Sequence, residues 1–245
     1  MKLIVPTEFS ALLKAQLPAD VETVWVDSDG NFDGNPIDAE VYFNWFYLKP
    51  DTLHQVLAAA PELRWQQTPS AGVNHILTPL FLQREIILTN GAGTFAIPIA
   101  EFVMAYVLSH VKLFPTLYTL QADRQWLRSA DEPQLPIQEV TDASLLIVGA
   151  GSIGQAIAQR ASAFGMRVWG SRRHPQPLPH FEQVVGANQW RSLLPEADYV
   201  VIAAPLTAET AAMFDEDALR AMRPTSYFIN IARGAIVDEA ALLKA

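Results

Sequence analysis

The sequence has 245 residues, half of them hydrophobic and 18% charged, with a formal net charge of −9. That length suits one large or two moderate domains, and the composition suffices for a packed core. The acidic balance, with no basic stripe, argues against nucleic acid and anionic membrane as partners. The absence of cysteine removes disulfides, thiolate metal ligands and thiol nucleophiles, and fits a cytoplasmic protein.

The first apolar run, Lys2–Val5, is too short for a signal peptide and reads as a buried strand. Further strands are predicted at Glu22–Val26, Ala39–Trp45, Leu63–Thr68 and Ile86–Thr89. A helix over Thr52–Ala60, capped by Asp51 or Thr52, falls between them. This alternation predicts a small parallel, doubly wound α/β domain, flavodoxin-like in outline. Asn90–Thr94 then punctuates the chain, and Pro98 suits the first turn of a long helix. A boundary there gives domains 1–97 and 98–245. The run Ile97–Phe114 is long enough to raise a membrane question, but Glu101, His110 and Lys112 make it a buried or interface helix. Arg128–Gln138, with Pro133 and Pro136, reads as an exposed connector. Alternation then restarts, with strands at Leu145–Gly149, Arg167–Gly170, Tyr199–Ala204 and Tyr227–Ile231, and helices at Ser152–Phe164 and Asp215–Met222.

Gly149-Ala150-Gly151-Ser152-Ile153-Gly154 lies between a predicted buried strand and a predicted helix, the context this glycine spacing requires. Gly149 allows a tight turn, Gly151 admits a pyrophosphate to the backbone, and Gly154 lets helix pack closely on strand. The N–H groups of Ser152 and Ile153 then face phosphate at the positive end of a helix. This predicts a dinucleotide-binding Rossmann domain. About 20 residues on, where an acid would accept the ribose hydroxyls of NAD, the sequence has Ser171-Arg172-Arg173. A hydroxyl and two guanidinium groups suit a 2′-phosphate, so NADP(H) is preferred and NAD(H) remains open. The alternative is a solvated basic turn.

Arg233 stands just past a predicted strand's carboxyl end, where ligands sit in open α/β sheets. Its guanidinium could grip a carboxylate and polarise a carbonyl, or serve the fold alone. Asp238 and Glu239, just before Ala240–Leu243, read as a helix N-cap rather than an acid/base pair. In the first domain, Thr68-Pro69-Ser70-Ala71-Gly72-Val73-Asn74 follows a strand. Such a corner can hold a carboxylate on backbone N–H groups, or be a plain connecting loop.

Together these residues resemble the D-isomer-specific 2-hydroxyacid dehydrogenases, a family that includes glyoxylate/hydroxypyruvate reductases. The matching elements run in family order across most of the chain. They are the Ser-Ala-Gly-Val corner at 70–73, Ala100-Glu101-Phe102, the glycine motif, Ala204-Pro205-Leu206-Thr207 with Thr210, and Asn230–Glu239, whose Arg-Gly followed by Val-Asp-Glu is the most specific. The resemblance implies a substrate lobe and a cofactor lobe with the active site in a cleft, and a 2-oxoacid interconverted with its D-2-hydroxyacid by hydride transfer. It places the substrate carboxylate on the N–H groups of Gly72 and Val73 and makes Arg233 catalytic. It lines the dinucleotide with Pro205, Leu206 and Thr210 and puts Ala232 near the nicotinamide. Trp45 and Phe46 are candidate pocket walls, with core packing as the alternative. It further implies a homodimer formed through the cofactor lobe, for which Ile97–Phe114 and Leu117–Gln138 are suited.

The family pattern departs from this sequence after Arg233. The resemblance implies a general-acid histidine, a glutamate orienting it, an aspartate facing the nicotinamide and a final helix, none with a counterpart before Ala245. The sequence is therefore read as a truncated chain. His75, beside the carboxylate corner, reads as a packed loop residue. The rival from another class is a dinucleotide-sensing, corepressor-like interaction protein, which would bind NADP(H) with little turnover.

Overall fold

Apolar runs alternating with helix-forming stretches fold into two parallel sheets of five strands each. The computed structural model describes residues 1–45, 50–126 and 135–245, so Phe46 and most of the Arg128–Gln138 connector lie outside the described residues. The chain divides into two units, Met1–Gly93 and Thr94–Ala245.

The first unit contains β1 (Lys2–Pro6), a 3-10 turn at Thr7–Phe9, α1 (Ser10–Leu13), β2 (Glu22–Val26), β3 (Val41–Phe43) and α2 (Pro50–Ala59). It continues through β4 (Trp65–Gln67), α3 (Pro79–Leu82) and β5 (Ile87–Thr89). The strand order β2-β1-β3-β4-β5 is the flavodoxin order, and it reverses between β1 and β3. Leu53, Val56, Leu57 and Ala60, spaced one helical face apart, bury against Ile4, Val24, Val26 and Tyr42 of the sheet. Each large aliphatic side chain buried there contributes roughly 1.5–3 kcal/mol.

Two expectations change here. Strands predicted at Ala39–Trp45 and Leu63–Thr68 shorten to three residues each. Beyond Gln67 the ladder is cut because Pro69 has no N–H to donate. The expected cap of α2 by Asp51 or Thr52 is also wrong, since the helix starts at Pro50 and both fall within its first turn. The Thr52 hydroxyl instead donates to the Ser28 carbonyl at 2.9 Å. At the other end of α2, Arg84 donates to the carbonyls of Leu57, Ala60, Pro61 and Leu63, satisfying groups the helix leaves open.

The second unit contains α4 (Ala96–Val111), α5 (Phe114–Ala122), β6 (Ser144–Val148), α6 (Ser152–Ala163), β7 (Arg167–Arg172) and β8 (Gln183–Gly186). A 3-10 turn at Trp190–Glu196 precedes β9 (Tyr199–Ile202), α7 (Glu216–Ala221), β10 (Tyr227–Asn230) and α8 (Glu239–Leu242). The order β10-β9-β6-β7-β8 is the Rossmann order, reversing between β6 and β9. Every residue of β6 is buried, as its unbroken apolar run requires of a central parallel strand. Leu145 and Ile147 pack on one side with Val103, Val107, Ile157 and Ala161, while Leu146 and Val148 pack on the other with Trp190, Leu194 and Phe214.

The helix expected as one piece over Ile97–Phe114 breaks at Leu113, which holds a left-handed φ of 56°, and α4 and α5 diverge by 67°. Pro115, in the first turn of α5, disfavours continuation of the preceding helix. No single described helix is long and apolar enough to cross a membrane. Edge strand β8, with no strong apolar run of its own, escapes the sequence reading.

Candidate active site

The glycine turn follows β6, at the point where the strand order reverses. Gly149 holds a φ of +113°, and a Cβ there would lie 2.5 Å from the carbonyl carbon of Ala203 and the nitrogen of Ala204, at the exit of β9. Only glycine fits between these crossing backbones. Gly154 is equally constrained, because a Cβ would overlap the Gly149 carbonyl. Gly151 differs: a Cβ there would meet nothing within 4 Å. No side chain caps α6, and no acid occupies its first turn. Among the described residues nothing accepts the N–H groups of Ser152 and Ile153; the first helical bond runs from Gln155 to Gly151. Free amides beneath open space at the positive end of a helix fit a pyrophosphate.

β7 runs to Arg172 rather than ending at Gly170. Ser171 pairs with Val148 and Val185, and its carbonyl accepts from the N–H groups of Gly149 and Ala150 at 3.2 and 2.8 Å. With 2% of its surface exposed, Ser171 anchors the glycine turn and does not project into solvent. Arg172 is half-buried and Arg173 exposed. Neither has a carboxylate within ion-pair distance among the described residues. Arg173 still acts at longer range on Glu209, whose carboxyl is held below the usual range first by the Thr207 hydroxyl, then by the Glu209 backbone N–H, and least by that charge.

Past β9, Thr210 shapes its own loop: its hydroxyl accepts from the Thr207 N–H and donates to the Pro205 carbonyl, both at 2.7 Å. Pro205 is exposed, while Leu206 and Ala232 pack partly against the core. Past β10, Asn230 clamps the turn that carries Arg233. Its Oδ1 accepts from the Ala232 N–H at 2.9 Å, and its Nδ2 donates to the Arg233 carbonyl at 3.0 Å. The exposed Arg233 guanidinium donates once, to the Ala232 carbonyl at 2.9 Å, and its other N–H groups donate to none of the described residues. Asp238 accepts from the Ala241 N–H at 3.0 Å, the N-cap its sequence context predicts.

In the first unit, the N–H groups of Gly72 and Val73 donate to no described residue, and the Val73 carbonyl closes the following turn by accepting from Ile76 at 2.8 Å. Asn90 donates to the Ala71 carbonyl and Gly91 to that of Ser70, so the end of β5 holds this corner from beside it. At the reversal between β1 and β3, Phe9 meets Trp45 edge to face at 4.3 Å and Phe43 at 5.4 Å. Trp45 is thus partly packed as well as partly open.

A sequence profile described as "D-isomer specific 2-hydroxyacid dehydrogenase, NAD binding domain" matches residues 104–245, more than half of the chain. The chain belongs to this family. Among 2-hydroxyacid dehydrogenase relatives, it is 34% identical over 194 residues to a glyoxylate reductase of Thermococcus kodakarensis, a match covering 78% of this chain and 58% of that protein. It is 30% identical over 191 residues to a D-3-phosphoglycerate dehydrogenase of Mycobacterium bovis, covering 78% and 35% respectively. The chain therefore spans little more than half the length of the first of these relatives and about a third of the second. A D-isomer specific 2-hydroxyacid dehydrogenase family protein from Aeromonas salmonicida superposes with a TM-score of 0.84 at 28% identity, over 99% of this chain and 76% of that one.

In this member of the family, three residues beside the candidate sites escape the sequence reading. Asn230 has a legible signal, an Asx-type residue at a strand exit whose side chain can close the following turn. Phe9 and Asn44 have none, because their neighbours come from strands distant in sequence.

Proposed function

We propose that this chain is the dinucleotide-binding and carboxylate-binding part of an NADP(H)-dependent oxidoreductase. Its reaction interconverts a small 2-oxoacid, of glyoxylate or hydroxypyruvate type, with the D-2-hydroxyacid. The observation that carries the reading is the carboxyl edge of the second sheet, where Gly151 leaves open space over amides that, like the Arg233 guanidinium, meet no acceptor acid among the described residues. When bound, the reduced dinucleotide supplies hydride to a keto carbon.

The chain's own residues do the rest. The N–H groups of Ser152 and Ile153 hold the pyrophosphate, with Gly149 and Gly154 giving the turn its shape. Arg172 and Arg173 neutralise a 2′-phosphate; Ser171 supports them through the backbone. Gly72 and Val73 offer two N–H groups to the substrate carboxylate. Arg233 stabilises negative charge as it develops on the keto oxygen. Trp45 supplies an apolar wall. The oxygen finally takes a proton, a role the resemblance gives to a histidine after the Arg233 motif; residues 234–245 contain none.

The cofactor reading is tested by titrating intrinsic fluorescence with NADPH and NADH. NADPH should bind more tightly, and Arg172→Ala should weaken it about tenfold while leaving NADH unchanged, the loss of one charge-assisted contact. Equal affinity for the two cofactors refutes the NADP assignment. Association through the second unit is supported by exposed Phe102, Tyr106, Phe114 and Tyr118 on α4 and α5.

A further inference from the structure

Asn44 is fully buried one residue past β3, on the first unit's sheet. Its Oδ1 accepts from Gln66 Nε2 at 2.9 Å. Its Nδ2 donates to the Trp45 carbonyl at 3.1 Å and to the Thr68 hydroxyl at 3.2 Å. Thr68, also fully buried, shares a hydrogen bond with the Ser70 hydroxyl at 3.1 Å, and Ser70 donates to the Gly72 carbonyl at 3.0 Å. A continuous polar chain thus runs from β4 through Asn44 to the peptide unit linking Gly72 to Val73. The same asparagine holds the backbone of Trp45.

This chain is a costly way to fill an interior. Gln66 Oε1 is buried with no partner among the described residues, and it loses its water without compensation. Apolar residues at 44, 66 and 68 would fill the space without that loss. What the polar chain provides is direction: it fixes the plane of the peptide whose N–H belongs to Val73, and sets the corner and the Trp45 wall against a common anchor.

We propose that Asn44 and Thr68 are positioning residues for recognition of the substrate carboxylate. They aim the Val73 N–H through the Ser70 bond to the Gly72 carbonyl, and Asn44 ties the aromatic wall to the same frame. The inference rests on reading residues 70–73 as the carboxylate corner.

The experiment uses the whole chain and oxalate as a carboxylate probe, followed through the backbone amide resonances of Gly72 and Val73, with NADPH affinity measured in parallel. In the unmodified chain both amides shift on titration. Thr68→Val, which keeps shape and removes the hydroxyl, weakens oxalate about tenfold with NADPH affinity unchanged, and Thr68→Ser restores it. Asn44→Leu weakens oxalate similarly, and the double variant loses no more than either single one because both act through one network. Should Asn44→Leu fail to fold, the Thr68 pair carries the test. Unchanged oxalate affinity in Thr68→Val, with the amides still responding, overturns the positioning role alone. So does a Thr68→Ser variant as weak as Thr68→Val, which assigns the effect to packing. If oxalate leaves the two amides of the unmodified chain unmoved, the carboxylate corner itself falls, and this proposal with it.

Discussion

Gly149 and Gly151 lie two residues apart in one turn, yet alanine at each should have opposite consequences. A Cβ on Gly149 falls 2.5 Å from two backbone atoms of the β9 exit, where ordinary contact begins near 3.4 Å. The exit of β9 would have to retreat by nearly an ångström in a close-packed layer, and the φ of +113° lies outside the regions open to L-residues. Backbone strain of about 1–3 kcal/mol and overpacking of similar size make a loss of at least ~3 kcal/mol the expectation. For a unit of this size each kcal/mol shifts Tm by about 2–4 °C, so the unit should melt some ~6–12 °C lower. Gly151→Ala meets nothing, and its φ of −86° and ψ of −159° suit alanine. A weaker helix N-cap and a less flexible unfolded chain there oppose each other, each at about 1 kcal/mol or less. Stability should stay nearly constant, while the added methyl occupies the space that admits a pyrophosphate. The assay pairs thermal melting with NADPH titration. A Gly151→Ala protein that melts like Gly149→Ala, or that binds NADPH as before, refutes the argument that protein packing fixes one glycine and ligand access the other.

Replacing Arg233 by Lys keeps the charge but loses the planar fork, so under the proposed function 2-oxoacid turnover should fall at least about tenfold with NADPH affinity unchanged, as steady-state kinetics and titration would reveal. Arg84→Met leaves four carbonyls around the end of α2 without their donor and should destabilise the first unit by roughly 2–3 kcal/mol in urea denaturation. Asp215, bonded first to Arg191 and then to the Ala218 N–H, has its carboxyl pulled down to about 2 from an ordinary 3.8. Its contribution is therefore complete above the unfolded value and is lost as pH falls from about 4 through about 2, so the stability gap between this chain and Asp215→Asn should close over that window. Tyr118→Glu combined with Phe102→Glu places charge on exposed aromatics of α4 and α5, and light scattering should then report a smaller assembly than for the unmodified chain.

What the sequence discloses and what it hides follow from how far apart the interacting residues lie. The run Leu145–Val148 followed by three spaced glycines is a local pattern, and it specifies strand, turn and helix because the apolar run, the glycines and the helix start lie within a dozen residues, although Ala203, Ala204 and Ser171 also hold the turn. The Rossmann and flavodoxin strand orders are legible for the same reason, since alternation and right-handed crossovers leave few ways to stack such units. Boundaries fail where a distant partner decides them. Whether β7 stops at Gly170 or continues to Arg172 depends on β8, whose Val185 and Gly186 pair with Ser171 and Arg172 and whose own sequence carries no strong signal. That extension buries Ser171, because a strand residue flanked on both sides is covered, and sets its carbonyl to anchor Gly149 and Ala150. The corner at Gly72 shows the same limit from the other side. Its sequence announces a turn with free amides, but of the two side chains proposed to orient it, Asn44 stands 28 residues upstream. A site built on backbone N–H groups is only as selective as the interior that aims them, so the part of this protein least visible in its sequence is the part that should govern how tightly a carboxylate is held.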